Sequence, residues 1–265
     1  MTPVLLIIPT VYPSGLECAV TLAQRGHKVT LLEKAERIGG QLIPASAPAY
    51  KKEEFDSIID YYETMLKKHG VEVRLSSEVR DAGDVKDAEA VMVATGALPA
   101  ELPCAGKEHV ANAFDVLNGV AGKGVKDVVV IGGSGVGIDI AIKLTENQGV
   151  KVTIIEMTPA IGGDLNEFLK RHTKAIMAGR NITAMTNAEV ISAAKGSVTV
   201  RTLFGEKKIP CDLAVSAVGF KPNLDEGLVE KLREAGREVF VLPSSEDPKR
   251  IFEATQAGYW TALEV

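Results

Sequence analysis

The stretch Gly132-Gly-Ser-Gly-Val-Gly137 sets four glycines and a serine between an apolar run, Val128–Ile131, and a helical pattern. Glycines so spaced permit a tight turn, a backbone that approaches phosphate oxygens, and close packing of helix on strand. A helix starting there offers free N–H groups and a partial positive charge to a pyrophosphate. Gly132 stands at the first glycine position, Ser134 at the second and Gly137 at the third, with Gly133 and Gly135 between them. The hydroxymethyl group of Ser134 hinders close approach without abolishing it. Glu156 follows 19 residues after Gly137, at the end of Lys151-Val-Thr-Ile-Ile. A carboxylate there suits a free ribose 2′-hydroxyl and repels a 2′-phosphate, so the motif predicts NAD(H) in preference to NADP(H). Asp139, two residues beyond Gly137, reads equally as an acid near the nicotinamide or as an ordinary acid in a first helical turn.

The elements around this motif occur twice. A strand pattern at Val4–Ile8 runs into a turn ending at Gly15, then a helix with Leu16, Ala19, Val20 and Ala23 on one face, then Lys28-Val-Thr-Leu-Leu ending at Glu33. Glu33 and Glu156, Gly39-Gly40 and Gly162-Gly163, and Gly96 and Gly219 are each separated by 123 positions. Features in one order at one offset mark a tandem of two βαβ units. In the first unit the glycine register, counted back from Gly15, reads Thr10-Val-Tyr-Pro-Ser-Gly15, so both leading glycines are gone. Thr10 is β-branched where a permissive backbone is wanted, and Tyr12 sets a phenol ring where a pyrophosphate would touch main chain. Glu33, Arg37, Gly39 and Gly40 survive. The pattern is that of a nucleotide site whose phosphate cradle has been filled in.

Between the two units, Phe55, Ile58, Ile59, Tyr62, Met65 and Leu66 follow helical spacing within Glu53–Lys68. A strand at Val71–Leu75 and the apolar run Ala90–Ala94 come next, and Gly119–Lys126 reads as the linker into the second unit. In a chain of 265 residues, 46% hydrophobic and 25% charged, there is material for two ordinary domains with real cores. A net charge of −5 without a basic block argues against nucleic acid. Cys18, Cys104 and Cys211 are far apart, with no C-x-x-C, so they build no local zinc, iron–sulfur or thioredoxin-like site and read as small hydrophobes. His27, His69, His109 and His172 form no metal-spaced group and read as surface or capping residues. The apolar start is too short to span a membrane and lacks a positive leader, which points to a cytoplasmic protein.

Taken in order, Pro13–Glu17, Leu32–Lys34, Glu36–Leu42, Val93–Gly96, Val130–Gly133, Ala217–Pro222, Ile251–Ala254 and Gly258–Trp260 resemble the C-terminal flavin and pyridine-nucleotide region of the NADH:flavin oxidoreductase family. That family includes 2-enoate reductases, 2,4-dienoyl-CoA reductases and trimethylamine dehydrogenase, and the resemblance covers essentially the whole chain. It implies an α/β fold of two Rossmann-like three-layer dinucleotide-binding domains. The NAD-type domain, residues 112–221, would be inserted into an FAD-type domain of residues 1–111 and 222–265. It also implies hydride transfer from NADH to FAD, with electrons passing through an iron–sulfur cluster to FMN in a separate barrel. This chain has neither barrel nor cluster-ligand cysteines, so the implied partner is a barrel-type flavin/iron–sulfur subunit or domain. Homo-oligomerisation stays open. Where the family carries a Gly-Asp pair that grips the flavin, this chain has Pro243-Ser244, and proline also removes a backbone donor.

The reading that follows is an FAD/NAD(H)-binding module, a component of an NADH-dependent flavin oxidoreductase, that passes electrons toward a flavin or partner subunit. FAD itself is expected to bind weakly or not at all. The alternative is a non-catalytic module that binds NAD(H) or an adenine nucleotide after losing its FAD site. The expected cofactor contacts are Gly132, Gly133, Ser134, Gly135, Gly137, Asp139, Glu156 and Gly219 in the second unit. In the first they are Gly15, Glu33, Arg37, Gly39 and Gly40.

Overall fold

The computed structural model describes residues 3–8, 13–248 and 250–265, with side chains from residue 13 onward. Thr10 and Tyr12 lie outside the described residues. The chain divides into two compact units. The first holds Met1–Ser46, Glu53–Leu98 and Phe220–Val265, and the second Ala47–Lys52 and Pro99–Gly219. The second is thus an insertion in the first.

Five parallel strands form the sheet of the first unit: β1 (Pro3–Ile8), β2 (Lys28–Glu33), β3 (Glu72–Arg74), β4 (Ala90–Val93) and β15 (Glu238–Val241), in the order β15-β4-β1-β2-β3. β4 is buried at every position, and β2 at every position after Lys28. Such runs are apolar without alternation because helices cover both faces of a parallel sheet. On one face lie α1 (Pro13–Gln24), α3 (Lys52–Lys68) and α9 (Ile251–Leu263), where Leu16, Leu22, Tyr62 and Leu66 pack with Leu31 and Met92. Leu228 and Leu232 of α7 (Glu226–Glu234) pack with Val91 and Val93 on the other. α1 and α9 approach closely at Gly258, where a Cβ would fall 2.0 Å from the Ser14 carbonyl oxygen. Two short helices, α2 (Leu42–Ala45) and α8 (Pro243–Glu246), follow Gly39-Gly40 and β15.

The second unit repeats the plan. β6 (Val110–Asn112), β7 (Asp127–Ile131), β8 (Lys151–Ile155), β9 (Ile182–Met185) and β13 (Leu213–Ser216) form a parallel sheet in the order β6-β13-β7-β8-β9. One face carries α4 (Ala113–Leu117), α5 (Gly135–Leu144) and α6 (Glu167–Met177), whose Val116, Ile138 and Ile142 join Val130, Val152 and Ile154 in one cluster. The other face carries an antiparallel meander of β10 (Ala188–Ala194), β11 (Ser197–Thr202) and β12 (Gly205–Pro210). Val190, Val198 and Val200 there meet Val129, Ile131 and Ile155. Three layers result in each unit. A two-stranded pair, β5 (Ala97–Pro99) with β14 (Phe220–Pro222), lies where the chain leaves and rejoins the first unit.

The 123-residue offset is visible in the sheets. β4 and β13 are offset copies of each other, and the strand orders correspond position by position from β4 to β3 and from β13 to β9. The fifth strand comes from the C-terminal side in one unit (β15) and from the N-terminal side in the other (β6). Register differs by one residue: Ile8 opposes Glu33, whereas Ile131 opposes Ile155. The repeat is therefore offset by 123 along β2 and β8 but by 124 along β1 and β7.

Three boundaries differ from the sequence expectation, the smallest being that Phe220 and Lys221, expected in the second domain, belong to the first unit. Residues 99–111, expected in the first domain, belong to the second unit, because β6 pairs with β13 and Ala105 bridges to Ser192 of the meander. The short segment Ala47–Lys52 also belongs there. Its anchors are the Ala49 N–H on Glu146 at 2.6 Å and the Tyr50 hydroxyl on Asp139 at 2.6 Å. The amphipathic helix starts one residue earlier than expected, at Lys52, and the strand expected at Val71–Leu75 narrows to Glu72–Arg74.

Candidate functional site: a cleft in the second unit

In an open parallel sheet a ligand sits beyond the carboxyl ends of the strands, where connections diverge to opposite sides. In the second unit this point lies between β7 and β13. A cavity of about 510 Å³ opens there. Its lining includes Gly132 and Ser134 after β7, Glu156 and Met157 after β8, Val190 of the meander, and Gly219 after β13. Apolar walls with a few convergent polar groups are what a small-molecule site needs.

Each glycine of the turn has a separate structural cause. Gly132 has φ +107°, and a Cβ there would lie 2.4 Å from the Ala217 carbonyl oxygen. Gly137 has an ordinary helical backbone, but its Cβ would lie 2.0 Å from the Gly132 carbonyl oxygen. It is the residue that lets α5 pack on the turn. Ser134 adopts an extended backbone as the residue before α5, with its hydroxyl 3.5 Å from the Ala217 carbonyl oxygen. The tight second position is instead Gly133, whose Cβ would meet Ile161 at 2.6 Å and Glu156 at 3.1 Å. Gly135 faces Leu165 and Asp164. Gly219, with φ +112°, lies exposed at the cavity rim and accepts from the Ala100 N–H at 2.9 Å.

Glu156 stands at the end of β8, half-buried, and accepts from the N–H groups of Gly133 (2.7 Å) and Thr158 (2.8 Å). Burial alone would raise its pKa, but these backbone donors outweigh burial and hold the carboxyl below the usual carboxylate range. It is therefore ionised at neutral pH, at the rim of the cavity.

Asp139 does not present a free acid. Its carboxylate accepts from the Tyr50 hydroxyl and pairs with Lys51, and both side chains of the ion pair are largely buried. Neither sequence alternative anticipated this partner, because Lys51 lies 88 positions away. Tyr50 also packs on His172, which stacks on Phe168.

The corresponding residues of the first unit are arranged differently. Glu33 is 1% exposed and turns its carboxylate onto the Ala35 N–H at 2.7 Å. Its backbone carbonyl accepts from Ser77, as that of Glu156 accepts from Ala188. Gly15 is buried in the first turn of α1, and Arg37 is exposed. A Cβ at Gly39 (φ +120°) would lie 3.1 Å from the side chains of Ile43 and Ile59, and Gly40 has φ +47°. Both glycines thus shape the entry to α2. Ser244, in the pair that replaces Gly-Asp, is buried and joins its hydroxyl to that of Ser14 at 2.7 Å. That bond ties α8 to the first turn of α1.

Of the three cysteines, Cys18 and Cys211 are buried, Cys104 is half-buried and all are free thiols. His69 is partly buried, and its Nε2 has no hydrogen-bond partner, so a surface role does not describe it. Among the described residues no group of His, Cys, Asp and Glu is placed to hold a metal ion. No helix among them is long and apolar enough to cross a membrane.

Known proteins agree with this architecture. The bilirubin reductase of Mediterraneibacter gnavus is 32% identical over 262 residues, covering 94% of this chain and 39% of the relative. An NADH oxidase of Thermoanaerobacter brockii is 33% identical over 265 residues, covering 96% and 40%. Among solved structures, a 2-naphthoyl-CoA reductase complex superposes with a TM-score of 0.90 at 29% identity, covering all of this chain and 40% of that one. A thioredoxin reductase of T. acidophilum, at 22% identity and a TM-score of 0.71, shares the fold over 98% of this chain and 96% of its own. The chain spans about 40% of the length of the curated relatives it matches. The family model for pyridine nucleotide-disulphide oxidoreductases matches residues 13–239, so the chain belongs to that family as an oxidoreductase module.

Proposed function

We propose that this chain is the NADH-binding part of a flavin-dependent reductase. It takes NADH into the cleft of its second unit and serves a flavin held by a barrel-type partner subunit or domain. The observation that carries the reading is the geometry of the Gly132–Gly137 turn with the ionised Glu156 beside it. Gly132 and Gly137 have room for no side chain, and the turn opens on a cavity at the sheet's switch point. These residues fit a dinucleotide: the turn and the start of α5 would hold the pyrophosphate, and Glu156 the adenosine ribose. When bound, NADH supplies a hydride. A 2′-phosphate would meet the Glu156 carboxylate, so NADH is favoured over NADPH.

The first unit does not fit FAD as the family's motif would hold it. The Ser14–Ser244 hydroxyl pair closes α8 onto the start of α1, and Glu33 is withdrawn from solvent. We therefore place the flavin of the reaction outside this chain. Support for a partner comes from the relatives, whose matched regions make up about 40% of their length.

The visible spectrum of the protein purified without added flavin tests this assignment. No absorbance near the flavin band, before and after incubation with FAD, is expected. One FAD per chain would place the flavin in this protein and overturn the partner reading. The runner-up, a binding module without redox chemistry, is favoured by the same loss in the first unit; absence of any NADH-dependent reduction when a barrel-type flavoprotein partner is supplied would select it.

A further inference from the structure

The loop between β8 and α6 lies against the glycine turn. Gly162 donates its N–H to the Gly133 carbonyl at 2.6 Å, and Ile161 and Leu165 cover Gly133 and Gly135. Asp164, exposed, sets both carboxylate oxygens on the Gly135 N–H, at 3.0 and 3.2 Å. Gly135 is the first residue of α5, a ten-residue helix whose first N–H groups have no partner within the helix. Gly133 N–H is likewise taken by Glu156. Two backbone donors of the turn are thus already satisfied by two carboxylates.

We propose that Asp164 is a specificity-determining residue of the nucleotide cleft: its carboxylate holds the Gly135 N–H in the free protein and yields that donor to a phosphate of the dinucleotide. This rests on the reading of the cleft as a nucleotide site. The physical case is competition for one donor. A carboxylate and a phosphate oxygen seek the same N–H at the positive end of the helix, and two anions cannot share it without repulsion. Ser134 lines the cavity, and the next N–H along the chain, that of Gly135, is the one Asp164 holds, so a pyrophosphate that extends from the cavity past Ser134 competes with Asp164 for it. The cleft then discriminates twice by charge. Glu156 acts against a 2′-phosphate at the ribose, and Asp164 sets how much affinity the pyrophosphate adds over adenosine alone.

Calorimetric titration of the full chain with NADH, ADP-ribose and adenosine decides the matter, using wild type, Asp164→Asn and Asp164→Ala. Asp164→Asn keeps an acceptor of the same shape without the charge, which guards against a folding defect in the alanine variant. Both variants are expected to bind NADH and ADP-ribose about 3- to 10-fold more tightly, the range of a charged surface contact, with adenosine unchanged. In a thermal melt Asp164→Ala should start lower without ligand and gain more on adding NADH, which loss of a cap alone does not produce. Unchanged or weaker pyrophosphate binding in both variants, with wild type binding NADH, overturns the proposal and leaves the nucleotide reading standing. Failure of every protein to bind any of the three ligands overturns both.

Discussion

Replacing Gly137 by alanine tests the helix–turn contact on which the nucleotide cleft depends. The backbone of Gly137 is that of an ordinary helix, so alanine costs nothing in φ and improves helix propensity by roughly 1 kcal/mol. The cost is steric. The new Cβ would sit 2.0 Å from the Gly132 carbonyl oxygen and 3.0 Å from its carbon, whereas a comfortable C···O approach is about 3.3 Å. α5 must withdraw by roughly 1.3 Å, and the obstacle is backbone rather than a side chain that could turn away. Overpacking of this kind costs about 1–3 kcal/mol, and because the obstacle is backbone we expect the upper part of that range, a net loss of about 1–2 kcal/mol after the propensity gain, with at least a tenfold loss of NADH affinity. Urea unfolding followed by circular dichroism measures the first, and Trp260, the only tryptophan, reports the first unit separately. Gly163→Ala is the control, because a Cβ there meets nothing within 4 Å at an unstrained φ, and its effect should stay within about 0.5 kcal/mol. Equal stability of the two variants would refute the close-packing argument.

Two further outcomes follow from the titratable groups. Glu156 is held below the ordinary carboxylate range, so its folded pKa lies under its unfolded one. Its contribution to stability is present above about pH 4.3 and is lost as pH falls through the folded value; an NMR titration placing the carboxyl at or above 4.3 would contradict the hydrogen-bond geometry. Burial pushes the Cys18, Cys104 and Cys211 thiols up, so none should react readily with a thiol reagent near neutral pH in the native state. Half-buried Cys104 should be labelled first, and prompt labelling of Cys18 without denaturant would show that the α1 packing is wrong.

Much of the architecture is legible in the sequence because both βαβ units carry local signals. Apolar runs end in Glu33 and Glu156, glycines punctuate the turns, and Phe55 to Leu66 recur at helical spacing. What escapes is set at long range. Lys51 and Tyr50 belong to the second unit because of Asp139, 88 and 89 positions onward, and no local pattern announces that pairing. The meander was legible in principle, since Ser197–Thr202 alternates buried Val198 and Val200 with more exposed neighbours. Its third strand, Gly205–Pro210, hides the signal because Glu206, Lys207 and Lys208 are all exposed. In the cleft, the sequence names Gly132, Gly137 and Glu156 by spacing, whereas the roles of Gly133 and Asp164 depend on a loop that folds back over the turn. Ser244 reads from sequence as the loss of a carboxylate; that its hydroxyl pairs with Ser14, 230 positions earlier, needed the fold.

The most direct test of the central claim is the affinity of the unmodified protein for NADH and NADPH, measured side by side by titration calorimetry. At roughly 4 Å, repulsion between Glu156 and a 2′-phosphate is about 4 kcal/mol for a partly buried pair before screening. Solvent at the cavity rim reduces this to about 1–2 kcal/mol, which is roughly a 5- to 30-fold preference. One NADH per chain is expected, with a preference over NADPH of at least fivefold and a shift toward NADPH in Glu156→Arg. Equal affinity for both nucleotides, or no change in Glu156→Arg, would contradict it.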